Sequence, residues 1–271
     1  MEIGFSERVC IIILMKNLIV TTKADLDTGN FTKCGEIFLL ENFAAEFSRI
    51  KHEQFDTIYF RSHFSIPETL PNVFATEIDT VSRDFARNYF IDNTKTCAEI
   101  IDFEDKWQQY QIFRELMPET WRFRDAPKDE KLIYKKRISS RARGVAFSRD
   151  EVLDGENWIA QRKMEILCEM RIYIICGEIF PLASTKSNKT ETQKVKILEI
   201  IRIANEEIEF AKKVAKMTPK KDFLGIDVAK TQSGLFLIEA NRSPSFASFY
   251  KLSGINLAEN LYKGVAKELF T

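Results

Sequence analysis

Asp227, Glu239 and Asn241 are the residues of this 271-residue chain whose types and spacing best fit a chemical task. They fall in Phe223 to Phe246, FLGIDVAKTQSGLFLIEANRSPSF, where FLGIDVA and LFLIEA read as β-rich runs and KTQSG as the turn of a hairpin. Glu239 and Asn241 lie two apart at the end of the second run, so a strand points both to one face. With Asp227 in the first run, hard oxygen donors converge on one point. Such a set suits Mg²⁺ that shares its shell with water and phosphate oxygens. The plainer alternative is a polar hairpin whose carboxylates sit in water. The flanking Gly-Ile-Asp and Ala-Asn-Arg-Ser-Pro runs weigh against it.

The elements that must position these residues belong to an α/β chain long enough to bury a sizeable core. Lys plus Arg and Asp plus Glu number 40 each, which leaves no global field to draw nucleic acid or an anionic membrane. Cys10, Cys34, Cys97, Cys168 and Cys176 form no CxxC pair, and His52 and His63 are the only histidines, so no zinc set is apparent. A reduced, cytoplasmic protein is expected. The run VCIIIL is too short to span a bilayer and has no small-residue cleavage site after it. Residues before Met15 read as a strand or a leader extension.

Along the chain, Lys16–Thr22 reads as a buried strand, Glu36–Lys51 as a helix carrying Phe38, Leu39, Phe43 and Phe47, and Thr57–Phe60 as a short strand. With a further helix over Val81–Phe90, this β-α-β alternation makes a small α/β lobe without a Gly-rich dinucleotide fingerprint. Helices are expected over Lys95–Ile101 and Glu104–Leu116, the second ending before Pro118. An antiparallel set follows in KLIYKK, RGVAF and NWIAQRKM, then RIYIICG and EIFPLAS joined by a tight Cys176-Gly177-Glu178 turn. Thr192–Met217 has the clearest helical spacing, with Ile197, Ile201, Ala204, Ile208, Ala211 and Ala215 on one stripe. Ile255–Phe270 reads as a closing amphipathic helix.

This order of parts resembles the ATP-grasp superfamily, in which α+β lobes close on ATP and activate a carboxylate as an acyl phosphate. The resemblance covers residues 93–270, with residues 1–92 fitting a pre-ATP-grasp lobe, 93–164 the central lobe and 165–271 the lobe that carries the metal site. Asn93-Thr94-Lys95 looks like the family's first ATP lysine. Leu132-Ile133-Tyr134-Lys135 followed by Arg143-Gly144-Val145 is similar to its strand lysine and phosphate loop, here with ISSRAR in place of a Gly-rich run. Trp158-Ile159-Ala160-Gln161 looks like the adenine hinge, which implies nucleotide contacts at Gln161, Arg162, Lys163 and Met164, with Arg162 where many relatives have Glu. Glu169 stands where a ribose carboxylate is often found. Glu169-Met170-Arg171 resembles the E-x-R strand of RimK-like and peptide-modifying members, which implies that Arg171 holds the transferring phosphate. Asp227, Glu239 and Asn241 match the family's metal ligands residue for residue.

The resemblance implies ATP and Mg²⁺ as cofactors and an ADP-forming carboxylate–amine or carboxylate–hydroxyl ligase, with Lys95, Lys135 and Arg171 neutralising charge as the γ-phosphoryl moves. A carboxylate-bearing peptide or amino-acid-like substrate is implied, with Lys186, Arg242 and Ser243 as candidate contacts. The segments 137–144 and Ser184–Gln193 are candidate lids. Arg61 is comparable with an arginine of ligases that modify ribosomal peptides, although Ser62 replaces a second arginine often beside it. Two rival readings are a grasp-fold small-molecule kinase, which needs a basic pocket that a pI near 6.8 does little to suggest, and a nucleotide-binding module without turnover. A homodimer through the N-terminal lobes is one assembly the resemblance allows.

Overall fold

The structure, a computed structural model, describes residues 17–21, 35–39, 57–60, 105–139, 144–175, 177–186, 197–218, 223–241, 244–245 and 247–257, with positions 42, 45, 46, 49 and 259. Lys95, Arg61, Arg242, Ser243, the expected helices over Val81–Phe90 and Lys95–Ile101, and most of Ile255–Phe270 lie outside them. The chain divides into two compact units. One comprises Met1–Glu99 with Ser245–Thr271, and the other Ile100–Pro244.

In the first unit, β1 (Asn17–Thr21) lies between β2 (Glu36–Leu39) and β3 (Thr57–Phe60) in a parallel sheet. Leu18, Ile19 and Phe38 have no exposed surface, as a parallel sheet covered on both faces requires. The helix expected from Glu36 onward is therefore corrected at its start. Short apolar runs such as EIFL carry no period that separates strand from helix, and pairing with β1 decides the matter. In the same unit α3, Ala247–Ser253, buries Phe249. That helix was not foreseen.

The second unit holds two antiparallel sheets. The first has the order β4 (Thr120–Arg122), β7 (Trp158–Arg162), β5 (Leu132–Lys136) and β6 (Val145–Ala146). Its core gathers Leu132, Tyr134, Ala146, Trp158 and Ala160, with Phe123 edge-on to Tyr134 at 5.6 Å between ring centroids. The β5–β6 connection closes where Lys136 N–H donates to the Gly144 carbonyl at 2.8 Å. Gly144 sits at φ +70° with the Lys136 side chain packed over it, a place for a residue without a Cβ.

The larger sheet has the order β10 (Ile197–Arg202), β9 (Glu178–Lys186), β8 (Cys168–Ile175), β11 (Phe223–Thr231) and β12 (Gly234–Asn241). Met170, Ile172, Ile174, Ile226 and Val228 alternate along β8 and β11 to form a buried face. The long helix expected over Thr192–Met217 is corrected: Ile197–Arg202 is a strand paired with β9, and α2 occupies only Asn205–Met217. The β-branched run ILEIIR suits a pleated surface. The chain stays extended at Ala204, whose N–H donates to the Glu207 carboxylate at 2.9 Å, and this starts the helix there. Phe210, Ala211, Val214 and Ala215 make the buried stripe of α2.

Helix α1, Lys106–Phe113, falls inside the expected Glu104–Leu116 and covers the outer edge of β12. Gln109 mimics a strand: its Nε2 donates to the Ala240 carbonyl at 2.8 Å while its Oε1 accepts from the Ala240 N–H at 2.9 Å. Leu237 N–H donates to the Leu116 carbonyl at 2.7 Å, so the edge strand is tied on both sides of Glu239. On β11, Gly225 lies opposite Asn241, and a Cβ there would come within 2.5 Å of Pro244 Cβ. The missing side chain lets the segment after Asn241 fold back over the sheet. Gly225→Ala is expected to lower the unfolding free energy by about 1–3 kcal/mol through overpacking, measured by urea denaturation, with the effect relieved by Pro244→Gly in the same chain.

Candidate functional site

One row of side chains crosses the larger sheet. Ser184 on β9 lies opposite Arg171 on β8, Arg171 opposite Asp227 on β11, and Asp227 opposite Glu239 on β12. Directly opposed residues share a face, so the row is a continuous polar stripe on the side of the sheet away from Ile172 and Ile226. Two residues along, Lys186 pairs with Glu169, and on the other side Gly225 pairs with Asn241.

The row depends on an irregularity. From the turn, Thr231 pairs with Gly234 and Val228 with Leu237, a register that would set Ile238 opposite Asp227. Instead the register shifts between Asp227 and Val228, and Glu239 takes that place. Because strand side chains alternate, this single extra residue moves Glu239 and Asn241 from the core face to the Asp227 face.

Asp227 is 5% exposed and is compensated twice. Arg171 Nε donates to Oδ1 at 2.7 Å and Nη2 to Oδ2 at 2.8 Å, a bidentate fork, while Lys186 Nζ also binds Oδ2. Burial alone would push the Asp227 carboxyl up. The Arg171 and Lys186 charges overwhelm burial and hold it far below the usual carboxylate range. Burial likewise opposes the Arg171 charge, and Asp227 more than reverses it. Lys186 reaches Glu169 Oε1 at 3.3 Å, so Arg171, Lys186, Asp227 and Glu169 form one network.

A further cation comes from the helix. Lys106 is 7% exposed, and its Nζ lies 3.3 Å from Glu239 Oε1 and 3.2 Å from both the carbonyl and the Oγ of Ser139. Sequence reasoning missed it. The readable signal was its place on the stripe Lys106, Gln109, Tyr110 and Phe113, where a lysine three and four positions from buried neighbours must point inward.

Lys135 emerges from β5 and donates to Gln161 Oε1 at 2.7 Å. Gln161 Nε2 donates to Thr120 Oγ1 at 3.0 Å, and Thr120 Oγ1 donates to the Pro118 carbonyl at 2.8 Å. This neutral chain orients the ammonium and supplies no charge. Burial consequently lowers Lys135 to about 8, with Glu239, Glu169 and Asp227 pulling back and Lys106 adding to the depression. At the hinge, Arg162 N–H donates to the Glu119 carbonyl and Lys163 N–H to the Lys131 carbonyl, both at 2.9 Å. Arg162 turns outward to Glu119 and Glu130.

Asp227, Glu239 and Asn241 thus share one face, and buried Asn241 Nδ2 has no hydrogen-bond partner. The set fits a hard divalent cation: an ionised carboxylate has lone pairs for a metal besides those that Arg171 uses. Among the described residues no group of three His, Cys, Asp or Glu converges, and the third donor here is an amide.

Asp227→Asn, with no nucleotide present, leaves buried Arg171 without its carboxylate and Lys186 with Glu169 alone, and is expected to cost about 3 kcal/mol in denaturation experiments. The depressed Asp227 pKa contributes stability that is complete above an unfolded value of about 3.9 and is lost as pH falls below it. The Asn variant should lack that part of the acid dependence.

The family signature of the RimK-like ATP-grasp domain matches residues 144–265. A comparison with curated protein sequences returned no match. Among solved structures, the ATP-grasp ligase PsnB complexed with a phosphomimetic variant of minimal precursor, Mg and ADP aligns at a TM-score of 0.64 and 15% identity, over 94% of this chain and 99% of that one. A putative ATP-grasp superfamily protein from Archaeoglobus fulgidus gives 0.60 and 18%, over 91% and 87%. The D-alanine--D-alanine ligase of Bacillus anthracis complexed with ATP gives 0.60 and 14%, over 94% and 98%. No helix among the described residues is long and apolar enough to cross a membrane. The domain signature and the shared fold agree: residues 144–265 match the RimK-like ATP-grasp domain, and the chain has the ATP-grasp fold.

Proposed function

We propose that this chain is an ADP-forming ligase that uses ATP to activate a carboxylate and passes the acyl group to an amine or hydroxyl of a peptide or amino-acid-like substrate. The observation that carries this reading is the gathering of Lys106, Lys135, Arg171 and Lys186 around Asp227, Glu239 and Glu169 within one unit. Such a set matches what phosphoryl transfer asks of a protein, which is placement and neutralisation of charge more than covalent chemistry. The peptide class is supported by solved neighbours whose descriptions name precursor, leader and core peptides.

On this reading Asp227, Glu239 and Asn241 would hold Mg²⁺, which when bound would draw charge from the phosphate oxygens. The cations that now pair with those carboxylates turn to phosphate. Lys106 leaves Glu239 and Lys186 leaves Asp227, while Arg171 spans Asp227 and the transferring group. Asp227 and Glu239 would then be free to hold the metal, so nucleotide and metal are expected to bind together. Lys106 takes the role expected of Lys95. At the hinge, the N–H groups of Arg162 and Lys163 are already spent on the Glu119 and Lys131 carbonyls just before β4 and β5, which leaves Met164 N–H to meet the base. Arg171 then holds the acyl phosphate oxygens while the nucleophile attacks the carbonyl carbon and inorganic phosphate departs.

Calorimetry of ATP binding tests this. Binding is expected with Mg²⁺ present and weakened about tenfold or more in Glu239→Gln, which keeps the shape and loses the charge. A folded wild type that binds no nucleotide overturns the proposal.

The affinity should also depend on pH in a direction set by Lys135. Phosphate favours the ammonium, and a value of about 8 means that the charge is lost as pH rises. Between pH 7 and 9 the affinity should fall roughly tenfold. Lys135→Arg, which stays charged, should flatten the profile.

A further inference from the structure

Asp105 precedes α1 and is 6% exposed. Its Oδ1 accepts from Trp107 N–H at 2.8 Å, capping the helix. Both of its oxygens also accept from Arg137 at the end of β5: Nε reaches Oδ1 at 3.2 Å and Oδ2 at 3.1 Å, and Nη2 binds Oδ2 as well. The main chain closes the same junction, because Lys106 N–H donates to the Arg137 carbonyl and Arg137 N–H to the Asn157 carbonyl, each at 2.8 Å. A helix cap needs only a short polar side chain, and Ser or Asn would serve. It does not need a guanidinium from another element.

The geometry accounts for the extra partner. Two residues beyond Arg137, Ser139 offers its carbonyl and Oγ to Lys106 Nζ, each at 3.2 Å, and the third contact of that ammonium is Glu239. Three donors meet three acceptors. The ammonium therefore sits where it does only while residues 137–139 are held against the start of α1. We propose that Asp105 and Arg137 are a positioning pair that fixes Lys106 Nζ between Ser139 and Glu239. Neither residue touches the phosphates; both act through Lys106. The service this gives to phosphate binding rests on the nucleotide reading above, whereas the placement of the ammonium does not.

The experiment uses the full chain and two readouts. Acetylation of Lys106 by acetic anhydride, followed by mass spectrometry without nucleotide, reports the ammonium directly. Calorimetry with ATP and Mg²⁺ reports its use. Asp105→Asn keeps the cap and removes the charge, Arg137→Gln removes the fork, and Arg137→Lys keeps a charge without the fork. Asp105→Asn and Arg137→Gln should each speed Lys106 acetylation and weaken nucleotide binding by about tenfold, with the double variant no worse than either alone, as partners in one interaction behave. Arg137→Lys should recover part of both losses. Acetylation of Lys186, on β9 of the larger sheet, should stay at the wild-type rate, a result that general loosening would not give. Unchanged Lys106 acetylation in both single variants overturns the pair, as does full additivity in the double variant. Faster acetylation in a protein whose wild type binds no nucleotide supports the pair and overturns the ligase reading.

Discussion

A carboxylate almost without water is tolerated only beside cations, and in this chain that constraint falls on Asp227. The penalty is met in the middle of a sheet, where β8 supplies Arg171 directly opposite and β9 supplies Lys186 from the next strand. Register, strand order and side-chain length are thereby tied together. A slip of β8 by one residue would replace Arg171 with Met170 or Ile172 and leave the carboxylate beside hydrocarbon. The strand order that puts β8 between β9 and β11 is thus an electrostatic requirement as much as a packing outcome.

The two sheets of this unit hold their cations in opposite ways. In the larger sheet Arg171 and Lys186 meet formal negative charge, and Arg171 is fixed as a permanent cation. In the smaller sheet Lys135 meets only the dipoles of Gln161 and, behind it, Thr120 and the Pro118 carbonyl. An ammonium supported by dipoles and distant carboxylates is desolvated without full repayment, which is why its pKa falls and that of Arg171 rises. A charge held in that under-satisfied state gains most from an arriving phosphate.

The sequence made some of this legible. Strands β5, β7, β8, β9, β11 and β12 were readable because each is bounded by turn residues, and Asp227, Glu239, Arg171, Lys135 and Gln161 follow from those strands. Two things escaped. Ile197–Arg202 mimics a helical stripe because its isoleucines also satisfy a spacing of three and four, and only pairing with β9 settles its state. Lys106 escaped because a lone lysine near a helix start carries no signal until the buried side of the helix is known. Lys95, which the resemblance sets at the first ATP lysine, lies outside the described residues.

The bulge after Asp227 shows why motif spacing alone could not establish the site. Asp227 and Glu239 are separated by an even number of residues, and in a hairpin closed by Thr231 and Gly234 without irregularity Glu239 would lie opposite Ile226, facing the core. One inserted residue, Ile238, reverses the parity of everything beyond it. The bulge in turn needs an anchor, since a strand edge with an unpaired residue is free to slip back. Helix α1 and the turn after it supply the anchor on both sides of the irregularity, through Gln109 to Ala240 and through Leu116 to Leu237. The helix that brings Lys106 to Glu239 is therefore the same element that ties the strand beside Glu239, so the cation and the face it meets are set by one element.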